Sequence, residues 1–363
     1  MEEGKKEELL KEEKKLRAKI HFWIAFSFFC FLIISFLIYF LFLFRHPFKK
    51  EIKIIKKKDK AVIEENVDMK MRLIDGKYIP QEEKNAFPLA IMIDNHSDAR
   101  PPSGLEKANL VFEAEVEGGI TRYLAIFASN DNISEIGPIR SARPYFIDWV
   151  SEFGALYAHV GGSPEALVRI KKENIFDINE FYNEHYFWRS DLFNRPHNVF
   201  TSTEKLRTYI KKKKLKKKEY FPWIYKDDEI KDNLPDKNII LINFKLDNYH
   251  VKWEFDKKNN DYIRYQNGKL HYVRSGDFIR TKNIIIQYIN AQEIDEKLRL
   301  KMDTIGEGDA FVCFDGKCQK AIWKKKSKTS RTRFYFSDNK EVNFNRGTTW
   351  VEVLRPEIKV EIN

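Results

Sequence analysis

Three arginines in the first half of the chain have the residue type and the spacing to bind an anion. Arg140 and Arg143 flank Ser141, at the start of the run 142–153, whose apolar residues recur at helical spacing. Arg122 lies close to a turn, at the start of another apolar run. Guanidinium groups bind phosphate or carboxylate through paired hydrogen bonds, and a helix start adds free N–H groups and partial positive charge. The pattern therefore predicts an anion site at this helix start.

A second helix start is predicted at Gly161-Gly162-Ser163-Pro164, because serine caps helix N-termini well and proline suits the first helical position. Ser163 joins the three arginines as a candidate ligand-binding residue. The ligand would be a phosphate, a carboxylated glycan or a peptide carboxylate. The alternative is that the arginines pair with acids and stabilise the fold, the nearest candidates being Asp148, Glu113 and Glu117.

Four further polar residues are secondary candidates. Asp94 ends the first predicted strand and is followed closely by His96, while His159 ends a later strand and His197 lies in the sequence RPHN. The carboxyl ends of strands in open α/β sheets are where ligands usually bind. Histidines on loops can hold a metal, but none of these spacings is a ligand signature, so we predict no metal and no cofactor. His159 with Ser163 could be a base and a nucleophile, yet no GxSxG sequence surrounds the serine.

Cys313 and Cys318 are predicted to form a disulfide. The intervening Asp315-Gly316 suits a two-residue hairpin turn, which places the cysteines opposite each other in a non-hydrogen-bonded pair, with Cα atoms ~4.5 Å apart. An oxidising exterior would let the bond form. The alternative is a pair of reduced thiols packed as small apolar groups.

The elements that must position these residues fall into two regions. Strand-like and helix-like patterns alternate over 76–235, which predicts an α/β domain. Short β-rich runs fill 236–363, which predicts a mostly antiparallel β domain, a small barrel or sandwich. Asn267-Gly268 separates two of these runs in the way that a hairpin turn would.

Charge is concentrated in two segments of the 363 residues. The net charge is +11, but residues 1–60 hold 15 Lys/Arg against 8 Asp/Glu, and Lys205–Lys218 holds nine basic residues and no acid. The rest of the chain is therefore net negative, at −5. This distribution argues against a nucleic-acid-binding face. The lysine run itself is typical of a solvated helix face, or of a segment that adheres to anionic lipid or wall polymer.

An uncharged run of 23 residues, 22–44, predicts a transmembrane helix. At ~1.5 Å per residue it spans roughly 34 Å, enough for a ~30 Å hydrocarbon core. It exceeds the ~7–15 apolar residues of a cleaved signal peptide, so we expect an uncleaved signal anchor. Flanking charges are nearly balanced and do not decide the orientation. We expect residues 1–21 in the cytoplasm, a Lys-rich linker over 45–75, and the bulk of the chain outside the cell membrane.

Several long strings resemble the YerB-like family of bacterial cell-envelope lipoproteins. They are PLAIMIDNHSDARPPSGLEKANLVFEAEVEGGITRYLAIF, IGPIRSARPYFIDW, HVGGSPEAL, RPHNVF and, near the C-terminus, AIWKKKSKTSRTRFYFSDNKEVNFNRGTTWVEVL. The likeness covers roughly 85–355 and implies an exported, membrane-anchored protein of two domains. The family's usual anchor is a lipidated cysteine, whereas this chain offers an uncharged helix.

These observations favour a membrane-anchored, extracytoplasmic binding or scaffolding module. Its partners would be the membrane, a cell-wall polymer or envelope proteins, and not nucleic acid. The alternative is a hydrolase or phosphotransferase that acts on envelope glycans at an arginine-lined phosphate site. Convergence of the arginines with Asp94 and His159 on one concave pocket would favour the enzyme, and dispersal into separate ion pairs would favour the scaffold.

Overall fold

The computed structural model describes residues 23, 27, 29, 31–36, 69–81 and 86–363. The chain divides into two units, Met1–Glu65 and Asn66–Asn363. In the first unit the described residues are helical, and the large apolar side chains among them are exposed. Among the described residues, no helix is both long and apolar enough to cross a membrane. The predicted segment 1–21, and most of the predicted span and linker, lie outside the described residues.

The second unit is mostly β. Its α-helices are α1 (Pro144–Ser151), α2 (Pro164–Lys172) and α3 (Thr203–Lys213). Short 3-10 helices lie at Ser97–Ala99, Leu105–Lys107, Glu117–Gly119, Glu180–Tyr182, Glu184–Tyr186, Lys231–Asn233 and Asp247–Tyr249.

The strands of the earlier part of this unit are β1 (Met69–Met71), β2 (Tyr78–Pro80), β3 (Pro88–Asp94), β4 (Leu110–Glu115), β5 (Thr121–Ala128), β6 (Leu156–His159), β7 (Asp177–Asn179), β8 (Trp188–Arg189), β9 (Val199–Phe200) and β10 (Ile224–Lys226). The later strands are β11 (Ile239–Asn243), β12 (Val251–Asp256), β13 (Asp261–Gln266), β14 (Lys269–Leu270), β15 (Arg280–Thr281), β16 (Asn283–Tyr288), β17 (Ala291–Glu293), β18 (Leu300–Met302), β19 (Gly306–Phe314), β20 (Lys317–Lys325), β21 (Arg333–Tyr335), β22 (Asn343–Asn345), β23 (Thr349–Leu354) and β24 (Lys359–Ile362).

A ten-stranded sheet forms the centre of the unit, in the order β21-β20-β19-β16-β23-β4-β5-β3-β6-β7. Within it β23 runs parallel to both of its neighbours, β16 and β4. A six-stranded sheet has the order β14-β13-β12-β11-β24, with β15 paired to β13. Two-stranded sheets join β1 to β2, β8 to β9, β10 to β22 and β17 to β18.

The predicted division after residue 235 falls inside this unit. Five strands of the large sheet precede that point and five follow it, and β23 and β4 pair directly across it. All three of the named α-helices precede it. In 236–363 the described regular elements are strands and one 3-10 helix.

Apolar side chains cover both faces of the large sheet. On β3, Leu89 and Ile91 belong to a cluster that includes Trp253 of the six-stranded sheet. The alternate residue Met92 belongs to a second cluster that includes Trp149 of α1. Because both faces of the strand are buried, its sequence is a continuous apolar run and does not alternate with polar residues.

Two tight hairpins have the turn residues that the sequence indicates. Asn267 and Gly268 connect β13 to β14, and Asp315 and Gly316 connect β19 to β20, all four with positive φ. Asparagine, aspartate and glycine tolerate that region best. The β19–β20 register places Cys313 opposite Cys318, and the two are joined by a disulfide with Cα atoms 4.1 Å apart.

Candidate functional site

Five of the predicted site residues meet at the carboxyl end of β3. Asp94, the last residue of β3, lies opposite Arg122 in the β3–β5 ladder. The chain at Arg140 bridges β3 and the end of β6: its N–H donates to the Met92 carbonyl at 2.9 Å, and its carbonyl accepts from Val160 at 3.0 Å. Backbone bonds to two neighbouring segments therefore fix the position of Arg140.

The carboxylate of Asp94 is the centre of this group, which we call the Asp94 cluster: Asp94, His96, Arg122, Arg140 and His197. Its Oδ2 accepts a hydrogen bond from His197 Nδ1 at 2.7 Å and lies 3.0 Å from Arg140 Nε. Its Oδ1 accepts from the His96 backbone N–H at 3.0 Å. Burial by itself raises the pKa of the Asp94 carboxyl, but the His197 hydrogen bond and the charges of Arg122 and Arg140 bring that pKa below its ordinary value.

Arg122 is a buried cation with few direct partners. Its Nη1 donates to the Ser141 carbonyl at 2.8 Å, and its Nε has no hydrogen-bond partner among the described residues. The pKa of Arg122 is lowered to about 10, first by burial and then by the charge of Arg143, while the charge of Asp94 opposes this shift. Arg122 and Arg140 outnumber the one carboxylate of Asp94, so this cluster at the end of β3 carries a net positive charge.

Arg143 immediately precedes α1 and binds one acid through two hydrogen bonds. Its Nε and Nη2 donate to the two carboxylate oxygens of Glu117, and its Nη1 donates to the Ala142 carbonyl at 2.8 Å. Burial raises the pKa of Glu117, but the hydrogen bond and charge of Arg143 outweigh it and leave the pKa below its ordinary value. Of the acids considered from the sequence as partners for the arginines, only Glu117 pairs with one of them; Glu113 binds Arg264 and Asp148 binds Arg169.

A cleft of about 470 Å³ opens at the N-terminus of α2; we call it the α2 cleft. It is lined by Glu117, Ser141, Arg143, Gly162, Ser163, Pro164, Lys297 and Arg299. Ser163 caps the helix, since its Oγ accepts from the Ala166 N–H at 3.3 Å. Ser141 lines the cleft and accepts from Arg122, so the cleft adjoins the Asp94 cluster.

Lys297 and Arg299 are cleft residues that sequence reasoning missed. They lie in the connection from β17 to β18, more than 130 positions after Ser163 in the chain, and no local motif marks them. Arg299 pairs with Asp295, while the exposed Lys297 ammonium has no partner among the described residues. The strands β17 and β18 form a separate two-stranded sheet, and the packing of β18 against α1 brings these residues close to α2.

His159 takes no part in either group. It is fully buried, with Nδ1 2.7 Å from the Gly161 carbonyl and Nε2 3.3 Å from an Asp177 carboxylate oxygen. Both ring nitrogens are engaged by these neighbours, and the Ser163 hydroxyl is engaged by its own helix. The geometry therefore offers no base–nucleophile pair between His159 and Ser163.

A buried polar network lies deeper, between the two sheets. Glu113 of β4 and Glu352 of β23 are opposite each other, and Arg264 Nη2 donates to Glu113 at 2.5 Å. Burial and the charge of Glu113 raise the pKa of Glu352 well above its ordinary value. Arg264 packs against aromatic rings that include Trp350, 4.9 Å away. All of these side chains are buried, so the network joins the two sheets and is shielded from solvent.

Comparisons with known proteins place the chain in a family. Residues 76–216 match the family described as "Protein of unknown function (DUF3048) N-terminal domain", and residues 240–351 match the corresponding C-terminal domain. "Putative lipoprotein YerB" of Bacillus subtilis (strain 168) is 30% identical over 286 residues, which is 77% of this chain and 85% of that protein. The crystal structure of YerB from Bacillus subtilis superposes with a TM-score of 0.71 at 28% identity, covering 80% of this chain and 99% of that one.

The first matched segment supplies the whole Asp94 cluster, and both matched segments contribute to the α2 cleft. The first supplies Asp94, His197, Arg143 and Ser163, and the second supplies Lys297 and Arg299 of the cleft. The sequence similarity over most of the chain, the two family domains in order and the shared mostly β fold all indicate the same family. The chain belongs to the YerB-like family, with an N-terminal and a C-terminal DUF3048 domain.

Proposed function

We propose that this protein is a single-pass, membrane-anchored binding module of the cell envelope, which holds a phosphate-bearing anionic polymer of the wall in the α2 cleft. The proposal has two parts, the location of the protein and the chemistry of its ligand. A different observation supports each part.

The location rests on the N-terminal segment. The run 22–44 has no charge, and the residues within it that the structure describes are helical with exposed apolar side chains. Exposed apolar residues on a helix are unfavourable in water and suit a lipid surrounding. A relative named as a lipoprotein is in keeping with membrane attachment. In this proposal residues 1–21 are cytoplasmic, and the α/β and β-rich domains follow the linker outside the membrane.

The ligand chemistry rests on the charges around the α2 cleft. Arg143, Lys297 and Arg299 line it together with one acid, Glu117. The N-terminus of α2, a helix of nine residues, adds free N–H groups and a partial positive charge. The observation that carries the proposal is Lys297, an exposed cation at this helix start with no side-chain partner among the described residues.

The same geometry favours binding over catalysis. Arg140 and Arg143 are held in ion pairs with Asp94 and Glu117, and His159 lies apart from both groups. A catalytic site would need an acid or base beside a nucleophile, within reach of the bound phosphate. In the cleft the one acid, Glu117, is paired with Arg143, and the Ser163 hydroxyl caps α2. The cations and the helix start of the cleft are sufficient for holding an anion.

The test is calorimetric titration of the full chain, in detergent micelles, with poly(glycerol phosphate). Reversing one charge ~6 Å from a phosphate in water-like surroundings changes the interaction by roughly 1.4 kcal/mol, so Lys297→Glu should weaken binding about tenfold. Lys301→Glu is the matched control, because Lys301 is an exposed lysine on the adjacent strand β18 and does not line the cleft. Lys301→Glu should change the affinity less than twofold. Equal effects of the two substitutions, or none from either, would refute the site.

A further inference from the structure

Two histidines and an aspartate come together beside the end of β3. His96 and Asp98 lie at the short 3-10 helix Ser97–Ala99, and His197 comes from a loop a hundred positions later. The two imidazole rings are stacked, with centroids 4.6 Å apart and planes 19° apart. One ligand atom from each of the three side chains lies within 4.8 Å of the other two.

Asp94 orients one of these histidines in the way that a metal site requires. Its buried carboxylate is 2.7 Å from His197 Nδ1, so the proton lies on Nδ1 and the lone pair on Nε2. Histidines that bind metals commonly donate their other N–H to a carboxylate, which fixes the tautomer and the ring orientation. Asp94 is in turn held by the His96 backbone N–H and by Arg140. The orientation of His197 is therefore set by groups that are themselves fixed.

The other two side chains have the freedom to close around an ion. His96 is half-buried and Asp98 is exposed. The lone pair of His96 lies on Nδ1, which accepts the Asp98 N–H at 3.2 Å, and an ion would replace this exposed hydrogen bond. Around a tetrahedral ion with ~2.0–2.1 Å bonds, ligand atoms sit roughly 3.3 Å apart, so rotation of the two accessible side chains must bring them closer.

We propose that His96, Asp98 and His197 bind a divalent transition-metal ion such as Zn²⁺, with Asp94 as the positioning residue for His197. Two imidazole nitrogens and one carboxylate oxygen form a donor set that binds zinc and neighbouring transition metals in preference to calcium or magnesium. Three protein ligands leave a coordination position open to water or to a bound anion. Asp94 and Asp98 supply two negative charges that offset the two nearby cations, Arg122 and Arg140.

Sequence reasoning predicted no metal here, because no local ligand spacing exists. His96 and His197 are far apart in the sequence, and they come together only when the loop that contains His197 folds against the end of β3. The inference does not depend on the proposed anion site, since Lys297, Arg143 and Ser163 take no part in it.

The test is zinc titration of the full chain in detergent micelles after removal of metals with a chelator. The wild type should bind about one Zn²⁺, and Co²⁺ in its place should give the visible absorption of a tetrahedral site. His197→Ala and His96→Ala should abolish binding, and Asp94→Asn should weaken it about 10–100-fold. His250→Ala is the control: His250 is a partly exposed histidine, 3.6 Å from Asp247, outside this group, and its loss should change nothing.

Circular dichroism of each variant shows whether the fold is retained when zinc binding is lost. The fold should tolerate His96→Ala, because this substitution removes only a half-buried ring. If the wild type binds no more zinc than His96→Ala, or if His197→Ala and His250→Ala bind equally, the assignment is wrong. Unchanged zinc binding by Lys297→Glu is also expected, so failure of the anion proposal and failure of this one can be told apart.

Discussion

Replacing the buried Glu152 with glutamine should destabilise the folded unit by about 3–5 kcal/mol, the usual cost of breaking a buried ion pair. Glu152 follows α1 in the first family domain and is almost fully buried. It accepts hydrogen bonds from three groups of the second domain: Lys325 Nζ at 2.8 Å, Arg331 Nη1 at 2.8 Å and Thr332 Oγ1 at 2.5 Å. The substitution therefore tests how strongly this contact joins the two matched segments.

The magnitude follows from what remains after the carboxylate is removed. The Lys325 side chain is fully buried and that of Arg331 is 3% exposed, so two cations would share a buried site without a counter-charge. Other contacts limit the loss. Lys325 also donates to the Ser330 carbonyl at 2.6 Å, and the Arg331 guanidinium lies 3.9 Å from the Trp223 ring centroid. Against a typical total of ~5–15 kcal/mol, the loss would be a large part of the stability.

The effect should depend on pH with a defined sign. Burial raises the pKa of Glu152, but the charges of Lys325 and Arg331 outweigh it and leave the pKa below its ordinary value of 4.5. A carboxyl with a lowered pKa stabilises the fold above its unfolded value, and that stabilisation is lost as the pH falls through the folded value. The difference between wild type and Glu152→Gln should therefore be largest near neutral pH. It should shrink below about pH 4.5, by at most ~1.4 kcal/mol per pH unit.

Urea denaturation of the full chain, followed by tryptophan fluorescence at neutral and acid pH, measures this difference. Glu307→Gln is the matched control, because Glu307 forms an exposed pair with Lys324 on the neighbouring β19–β20 ladder, 3.2 Å apart. Its loss should cost less than ~1 kcal/mol. Adding Lys325→Met to Glu152→Gln should recover part of the stability, since it removes one of the two stranded cations. Equal losses for Glu152→Gln and Glu307→Gln, or a difference that stays constant as the pH falls, would refute the reasoning.

Two further predictions concern the environment of the chain. Protease added to wall-stripped cells should digest residues 45–363, because the uncharged run 22–44 is proposed to hold them outside; protection of these residues while a surface control is cut would reverse the orientation. Mass spectrometry of the non-reduced protein should find Cys313 and Cys318 linked, because β19 and β20 place them opposite each other; full alkylation of both thiols without reductant would contradict this.

Local sequence signals predicted the local structure well. Asp315-Gly316 and Asn267-Gly268 form tight turns because their residues tolerate positive φ, and Ser163 caps α2 because its hydroxyl accepts a first-turn N–H. Each of these outcomes depends on contacts within a few residues. The sequence alone therefore contained enough information to place them.

Contacts between distant segments could not be read in this way. By sequence alone, the alternation of Glu113 and Glu115 is typical of a strand with one polar face. The structure buries both residues, with Arg264 and Arg355 as their partners, because β4 is an interior strand covered on both faces. Neither arginine is near β4 in the sequence. The pairing becomes visible only when the order of strands in the sheet is known.

The candidate site shows the same limit. Arg143 and Ser163 line one cleft as expected from the two helix starts, and Asp94 lies with Arg122 and Arg140 at a strand end. His197 reaches Asp94 through a loop whose path no periodicity predicts. The sequence could name most of the site residues but not the two groups into which they divide.

The position of β23 determines when the large sheet can be completed during synthesis. This strand, Thr349–Leu354, fills the gap between β16 and β4, yet about 230 residues are added after β4 before it exists. At ~5–20 residues per second the ribosome needs about 10–50 s for that interval. Throughout it, one edge of β4 has unpaired N–H and C=O groups beside apolar side chains, a surface prone to wrong pairing. The nascent chain must therefore stay out of contact with other open strands until nearly its last residues have been made.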